Sequence, residues 1–165
     1  MENIPLIWAL IDERIGTGTQ SRAVTKSLGL PFLEKKLLWS RMANLPNFLI
    51  GPSLLGLTPN SKSEIIEPWP NLVVASGRRA AMVARYIKKK CQHSCSLVQI
   101  MHPGDLSNDA YDIIAIPNHD GGLKSRGNIM RTIGAPHDID KVILSEARMR
   151  WNSTFAKLKK PIVGL

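Results

Sequence analysis

Four short apolar runs in this chain each end abruptly at a polar or glycine-containing segment. The runs occupy residues 6–11, 72–75, 97–101 and 113–116. Continuous apolar runs of this length are typical of buried parallel strands, because helices cover both faces of such a sheet. In open α/β sheets, ligands bind beyond the carboxyl ends of the strands. The pattern therefore predicts a ligand-binding edge built from the segments that follow the four runs.

Helical and strand-like stretches alternate along the chain, which predicts an α/β fold, a three-layer sandwich with a Rossmann-like parallel sheet. The predicted strands cover residues 6–11, 32–39, 72–75, 97–101, 112–116 and 128–133. Charged residues in the second strand place it near a sheet edge. The predicted helices begin near Thr19, after Ser76 and near Asp140, with Gly29 ending the first and Leu158 the last. The last helix carries these apolar side chains on one face: Leu144, Ala147, Trp151, Phe155 and Leu158.

Composition narrows the classes of protein to consider. A length of 165 residues with 44% hydrophobic and 21% charged residues fits one globular domain. No apolar stretch approaches the roughly 18 residues of a membrane helix, and the start lacks the features of a secretory signal, so a cytoplasmic location is expected. The net charge of +9 suits either a polyanionic partner or lysines at helix C-terminal ends. Nucleic-acid-binding motifs are missing, so no specific nucleic-acid partner is expected.

The two cysteines, Cys91 and Cys95, flank His93, and these three side chains together could suggest a metal site. A structural zinc site normally has four ligands, and no second Cys/His pair with a recognised spacing follows. The sequence therefore predicts a pair of free thiols at the end of a helix and no metal site.

The first candidate ligand segment follows the first strand: Gly16, Thr17, Gly18, Thr19 and Gln20. Glycines let a backbone approach a ligand, and free amides at a helix start suit a phosphate or carboxylate. The alternative is a plain tight turn. Ser21 stands where a dinucleotide fingerprint has its third glycine, and no acidic residue closes the second strand. NAD binding is therefore not expected, and no cofactor is predicted.

The second candidate segment follows the third strand and consists of Ser76, Gly77, Arg78 and Arg79. Two arginines in the first turn of a helix oppose its dipole by about 0.3–1 kcal/mol each, a cost that an anion bound there would reverse. Two solvated arginines are the alternative.

Two further segments pair histidines with polar residues after the fourth and fifth strands. The first contains His102, Pro103, Gly104 and Asp105, and the second contains Asn118 and His119. A histidine near an acid suits acid/base chemistry or the orientation of a substrate hydroxyl, and a polar turn is the alternative. Neither segment supplies a serine nucleophile on a tight elbow, so no catalytic triad is predicted.

Several of these segments together resemble the mitochondrial fission ELM family, which contains a plant mitochondrial fission factor and bacterial proteins of undefined activity. The matching segments lie at residues 8–12, 16–20, 68–70, 75–79, 99–103 and 134–137. That family is in turn similar to two-domain glycosyltransferases of the GT-B type, in which two Rossmann-like domains face a cleft.

The resemblance implies that residues 1–160 form the N-terminal, acceptor-side domain and that residues 161–165 begin a C-terminal domain absent from this chain. The partners it implies are a nucleotide sugar, an acceptor and that C-terminal domain, without which the chain would be inactive. Asp12 or His102 would be the base that activates the acceptor hydroxyl. The alternatives are a non-enzymatic protein that recruits a partner and a domain that binds anions without turnover.

Overall fold

A computed structural model of the chain describes residues 4–104, 108–121, 127–159 and 162. Six parallel strands form one sheet in the order β2-β1-β3-β4-β5-β6. The strands are β1 (Ile7–Asp12), β2 (Leu33–Leu37), β3 (Leu72–Ser76), β4 (Ser96–Ile100), β5 (Ile113–Pro117) and β6 (Ile129–Thr132). Each predicted strand is present within two residues of its expected ends, and β2 lies at the edge as predicted. Because all six strands are parallel, every segment that follows a strand lies at the same edge of the sheet.

In the described parts of the chain, five α-helices connect or follow the strands. They are α1 (Ile15–Ser27), α2 (Asn47–Ile50), α3 (Pro59–Ser63), α4 (Gly77–Lys90) and α5 (Lys141–Phe155). The described part of the chain contains no helix with the length and apolar character of a transmembrane span. Gly29 follows α1 with φ +67°, the left-handed conformation predicted for the residue that ends this helix.

The two faces of the sheet bury different residues, so the sheet is the middle layer of three. Trp8 and Leu10 of β1 belong to a core cluster with α4, whereas Ile11 points to the opposite face and lies beside Gly18 of α1. The core cluster also contains the apolar stripe of α4 that the helical spacing predicted: Ala80, Val83, Ala84 and Ile87. The predicted three-layer α/β sandwich with a Rossmann-like parallel sheet is confirmed.

The order of the strands creates a switch point between β1 and β3. The chain passes from β1 outward to β2, but from β3 it passes in the other direction to β4. Right-handed crossovers therefore place α1 and α4 on opposite faces of the sheet. Their N-terminal ends lie on opposite faces of the sheet at its carboxyl edge, and open α/β sheets bind ligands in the crevice that such a switch point provides.

The last helix differs from the others because none of its residues is buried. It begins where the sequence predicted, since the Asp140 Oδ1 accepts a hydrogen bond of 2.8 Å from the backbone N–H of Ile143. It ends at Phe155, three residues earlier than expected. Of the predicted start of a second domain at residues 161–165, only residue 162 lies within the described residues.

Candidate functional site

The first helix was predicted to begin near Thr19, and this prediction is wrong because α1 begins at Ile15 and already contains the segment from Gly16 to Gln20. The backbone N–H groups of Thr17 and Gly18 both donate to the Arg14 carbonyl, at 3.1 and 3.0 Å, and so close the first helical turn. Glycines in a sequence favour a loop, but this helix tolerates them because tertiary packing outweighs helix propensity.

The two glycines of this turn have different surroundings. A Cβ at Gly18 would lie 2.6 Å from the backbone oxygen of Asp12, whereas a Cβ at Gly16 would have no neighbour within 4 Å. Gly18 therefore allows α1 to pack closely on β1. Gly16 is exposed and leaves open space at the helix start, where a ligand can approach the backbone.

The turn from β3 into α4 meets the start of α1. Gly77 has φ +78°, and a Cβ at this position would stand 3.0 Å from the Cγ2 of Thr17. Ser76 occupies the N-cap position as predicted, but its side chain makes no capping hydrogen bond. Its Oγ is buried and has no hydrogen-bond partner among the described residues. The two predicted ligand segments therefore come together at the switch point.

Asp12 and Arg79 form the central ion pair of the crevice. The Arg79 Nη2 lies 3.0 Å from the Asp12 Oδ1, and the side chains are only 11% and 4% exposed. The same Oδ1 accepts a hydrogen bond of 2.9 Å from the backbone N–H of Arg14. Since Oδ1 is engaged twice, a base at Asp12 would have to act through Oδ2.

Two residues for which the sequence predicted no role in the site also hold Arg79. Its Nη1 lies 3.6 Å from the Glu13 Oε1, and its guanidinium lies over the Trp39 ring, 4.9 Å from the centroid. Two carboxylates and an aromatic face surround this one cation. Arg79 is therefore better placed to organise the crevice than to bind an anion. Its neighbour Arg78 is exposed and donates a hydrogen bond of 3.1 Å to the Leu45 carbonyl.

Gln99 also contributes to the crevice, although the sequence predicted no role for it. This fully buried side chain lies in β4, where its Nε2 donates to the carbonyls of Ile100 at 2.9 Å and Gly77 at 3.2 Å. Its Oε1 is buried without a hydrogen-bond partner among the described residues. A glutamine inside an apolar strand could have indicated this role in the sequence, because burying a polar side chain is costly unless it forms hydrogen bonds.

The histidine segment after β4 also lies at the carboxyl edge. The backbone N–H of Gly104 donates a hydrogen bond of 2.8 Å to the Nδ1 of His102. The neutral ring therefore carries its hydrogen on Nε2, which is then a donor. In this arrangement His102 can donate to a substrate oxygen, and acting as a base would require the Nδ1 bond to break. Pro103 is buried beside it, and Asp105 lies outside the described residues.

Asn118 and His119 lie at the same edge but farther along the sheet. They follow β5, two strands from β3, and the Asn118 N–H donates to the Thr132 carbonyl at 2.8 Å. His119 is 71% exposed, and its Nε2 lies 3.7 Å from the Asp120 Oδ1. These contacts are local, so the pair lines the outer part of the edge rather than the crevice.

The cysteines lie away from this edge, at the end of α4. Both thiols are free and buried. Burial, followed by a hydrogen bond to Cys95, raises the pKa of the Cys91 thiol to about 12. The described residues contain no cluster of His, Cys, Asp and Glu that could hold a metal ion.

The sheet order and the crevice at its switch point define the chain as a Rossmann-like α/β domain with a candidate ligand-binding edge. Its sequence matches the family described as mitochondrial fission ELM1 over residues 15–165, and the chain belongs to that family. This finding confirms the family resemblance that the sequence motifs indicated.

Two relatives show how the chain compares with longer proteins. An uncharacterised protein of Rickettsia prowazekii, RP120, is 30% identical over 83% of this chain and 42% of its own length. The mitochondrial fission protein ELM1 of Arabidopsis thaliana is 30% identical over 57% of this chain and 27% of its own length. The chain thus spans less than half the length of both relatives. No solved structure matches it significantly.

Proposed function

We propose that this chain is the N-terminal, acceptor-side half of a GT-B-like glycosyltransferase that uses a nucleotide sugar and is inactive alone. The acceptor would bind in the crevice between β1 and β3. The part of the longer relatives that lies outside the match would make most of the contacts to the nucleotide sugar. A cytoplasmic location is part of this proposal.

The observation that carries the proposal is the meeting of α1 and α4 at the switch point, where Thr17 touches Gly77. The crevice combines open space at Gly16 with two buried polar atoms, the Ser76 Oγ and the Gln99 Oε1, that have no hydrogen-bond partner within the described parts of the chain. An unsatisfied buried polar group costs about 1–3 kcal/mol, so its presence beside a crevice favours a polar ligand. A hydroxyl-rich acceptor fits this chemistry.

The residues have distinct proposed roles. Asp12 and His102 are the candidate bases, with Asp12 acting through Oδ2, while Arg79 holds Asp12 in place. The backbone of the segment from Gly16 to Gln20 and the start of α4 at Gly77 would border the acceptor. In its present hydrogen bonding, His102 would orient an acceptor oxygen through its Nε2–H.

A second candidate function is the recruitment of a partner without catalysis. The Arabidopsis relative is named for mitochondrial fission rather than for a reaction, and α5 exposes an apolar surface suited to protein contacts. Simple anion binding is the third candidate, and it is the weakest because Asp12 and Glu13 already neutralise Arg79.

A thermal-shift measurement separates these functions. The chain is mixed with the part of RP120 that lies outside its match to this chain, and UDP- and GDP-sugars are added with and without saccharide acceptors. A ligand at a concentration of 100 times its Kd stabilises the folded protein that binds it by about 2.7 kcal/mol, which raises the Tm by several degrees. The proposal predicts such a rise with at least one nucleotide sugar. No shift with any of them, alone or mixed, contradicts glycosyl transfer and favours recruitment.

A further inference from the structure

We propose that the apolar stripe of α5 is the surface on which this domain binds the polypeptide that makes up the rest of its longer relatives. The stripe is defined by Leu144, Ala147, Trp151 and Phe155. The proposal depends on the exposure of α5 and on family membership, not on glycosyl transfer, so it can stand or fail independently of the proposed reaction.

The residues of the stripe are apolar, lie along one face of α5 and are accessible to solvent. Its residues recur at i, i+3, i+7 and i+11, so they share one face of the helix. Leu144 is 59% exposed and Trp151 is 49% exposed, and no residue of α5 is buried. In globular proteins, an amphipathic helix normally packs such a stripe against a hydrophobic core. The described residues of this chain provide no core that covers the stripe of α5.

The surface has features of a preformed binding site. The rings of Trp151 and Phe155 pack with centroids 5.9 Å apart. Together with Leu144 and Ile162 they border an open groove of about 550 Å³. Aromatic side chains set in a groove are typical centres of binding energy in protein interfaces, because they bury a large area at a small entropic cost.

The occupant is indicated by the lengths of the relatives. The match to RP120 covers 42% of that protein, so more than half of its length has no counterpart in this chain. The match to the family extends through residue 165, so α5 belongs to the shared region. An exposed hydrophobic helix face within the region that matches the family is best explained by contact with a part that the longer proteins also contain.

The test mixes this chain with the region of RP120 outside the match and measures binding by calorimetry. Hydrogen exchange then locates the contact, since an unpartnered helix exchanges rapidly and a docked one is protected. We expect a one-to-one complex in which residues 141–155 gain protection. Trp151→Ala should weaken binding at least tenfold.

Met149→Ala is the matched control. Met149 lies in the same helix and is 71% exposed, but it points away from the stripe, so its replacement should change the Kd less than twofold. Neither side chain is packed in the domain core, so both variants should keep the wild-type Tm. Absence of a complex at 100 µM, or protection confined to other elements, overturns the proposal. Self-association of the chain through the stripe, seen by sedimentation, also overturns it in favour of a second copy.

Discussion

Gly77 approaches Thr17 so closely that a Cβ on the glycine would stand 3.0 Å from the threonine methyl group. This contact joins the start of α4 to the start of α1 at the switch point of the sheet. The same glycine has φ +78°, so both its backbone and its surroundings favour the absence of a side chain.

Replacing Gly77 by alanine should cost more stability than the same change at Gly29. Both residues have φ near +70°, which costs about 1–2 kcal/mol for an alanine, but Gly29 has open space around a Cβ. We expect Gly77→Ala to be the worse variant by about 1 kcal/mol in urea unfolding, because the Thr17 methyl must also move. Adding Thr17→Ser to Gly77→Ala should remove the difference. Equal costs at the two glycines would show that the contact has no energetic weight.

The glycines of the α1 start should respond in opposite directions to alanine. Gly18→Ala places a Cβ 2.6 Å from the Asp12 backbone oxygen and should cost about 3 kcal/mol, because α1 must move off β1. Gly16→Ala meets nothing within 4 Å and should stabilise the protein by about 0.5 kcal/mol, since alanine is the better helix former. Chemical unfolding of both variants checks this. A tolerated Gly18→Ala would contradict the described packing of α1.

The buried pair of Asp12 and Arg79 should be far more sensitive to substitution than the more exposed pair of Arg22 and Glu34. Asp12→Asn leaves the Arg79 charge largely buried, with Glu13 as its remaining carboxylate partner among the described residues, and should cost about 3 kcal/mol. Glu34→Gln, whose partner side chain is 38% exposed, should cost less than about 1 kcal/mol. The free energies of unfolding at pH 7 decide this, and similar costs for both changes would contradict the burial of the Asp12 pair.

Stability should fall at alkaline pH through Cys91. Its pKa is raised from 9.0 to about 12 by burial and by its hydrogen bond to Cys95. The folded protein therefore keeps the thiol protonated while the unfolded chain ionises above pH 9. The contribution of this thiol to the free energy of unfolding is fully present below pH 9 and is lost as the pH rises toward 12.

Two measurements follow from this difference. Iodoacetamide at pH 8 should leave Cys91 unmodified in the folded protein and label it after unfolding in urea. The Cys91→Ala variant should show a smaller loss of unfolding free energy between pH 9 and 11 than the wild type. Rapid labelling of native Cys91 at pH 8 would rule out the buried, protonated thiol.

Much of the fold could be predicted because the sheet is buried on both faces. Strands such as β3 and β5 are continuous apolar runs in the sequence, and the charged β2 was assigned to the edge for the same physical reason. The start of α1 could not be predicted, because the reason for Gly18 is a backbone oxygen brought close only by the tertiary structure.

The candidate site was predicted in part. The sequence located the segments at the carboxyl edge, since that follows from parallel strands alone. It did not reveal that Asp12 and Arg79 pair, nor that Trp39 lies against the arginine, because these contacts join residues far apart in the chain. Gln99 was detectable as a polar residue in an apolar strand, but its hydrogen bond to Gly77 depends on the pairing of β3 with β4.

The most direct test of the central claim is to map ligand binding on the ¹⁵N-labelled chain, mixed with the unmatched region of RP120, by NMR. A panel of nucleotide sugars and saccharide acceptors is titrated into the wild type, Gly16→Trp and Gly134→Trp. Both glycines have open surroundings, so both variants should fold, but only Gly16 lies at the crevice. We expect shifts at residues 16–20 and 76–79 that Gly16→Trp abolishes and Gly134→Trp retains. Shifts confined to another surface, or equal binding by both variants, would contradict it.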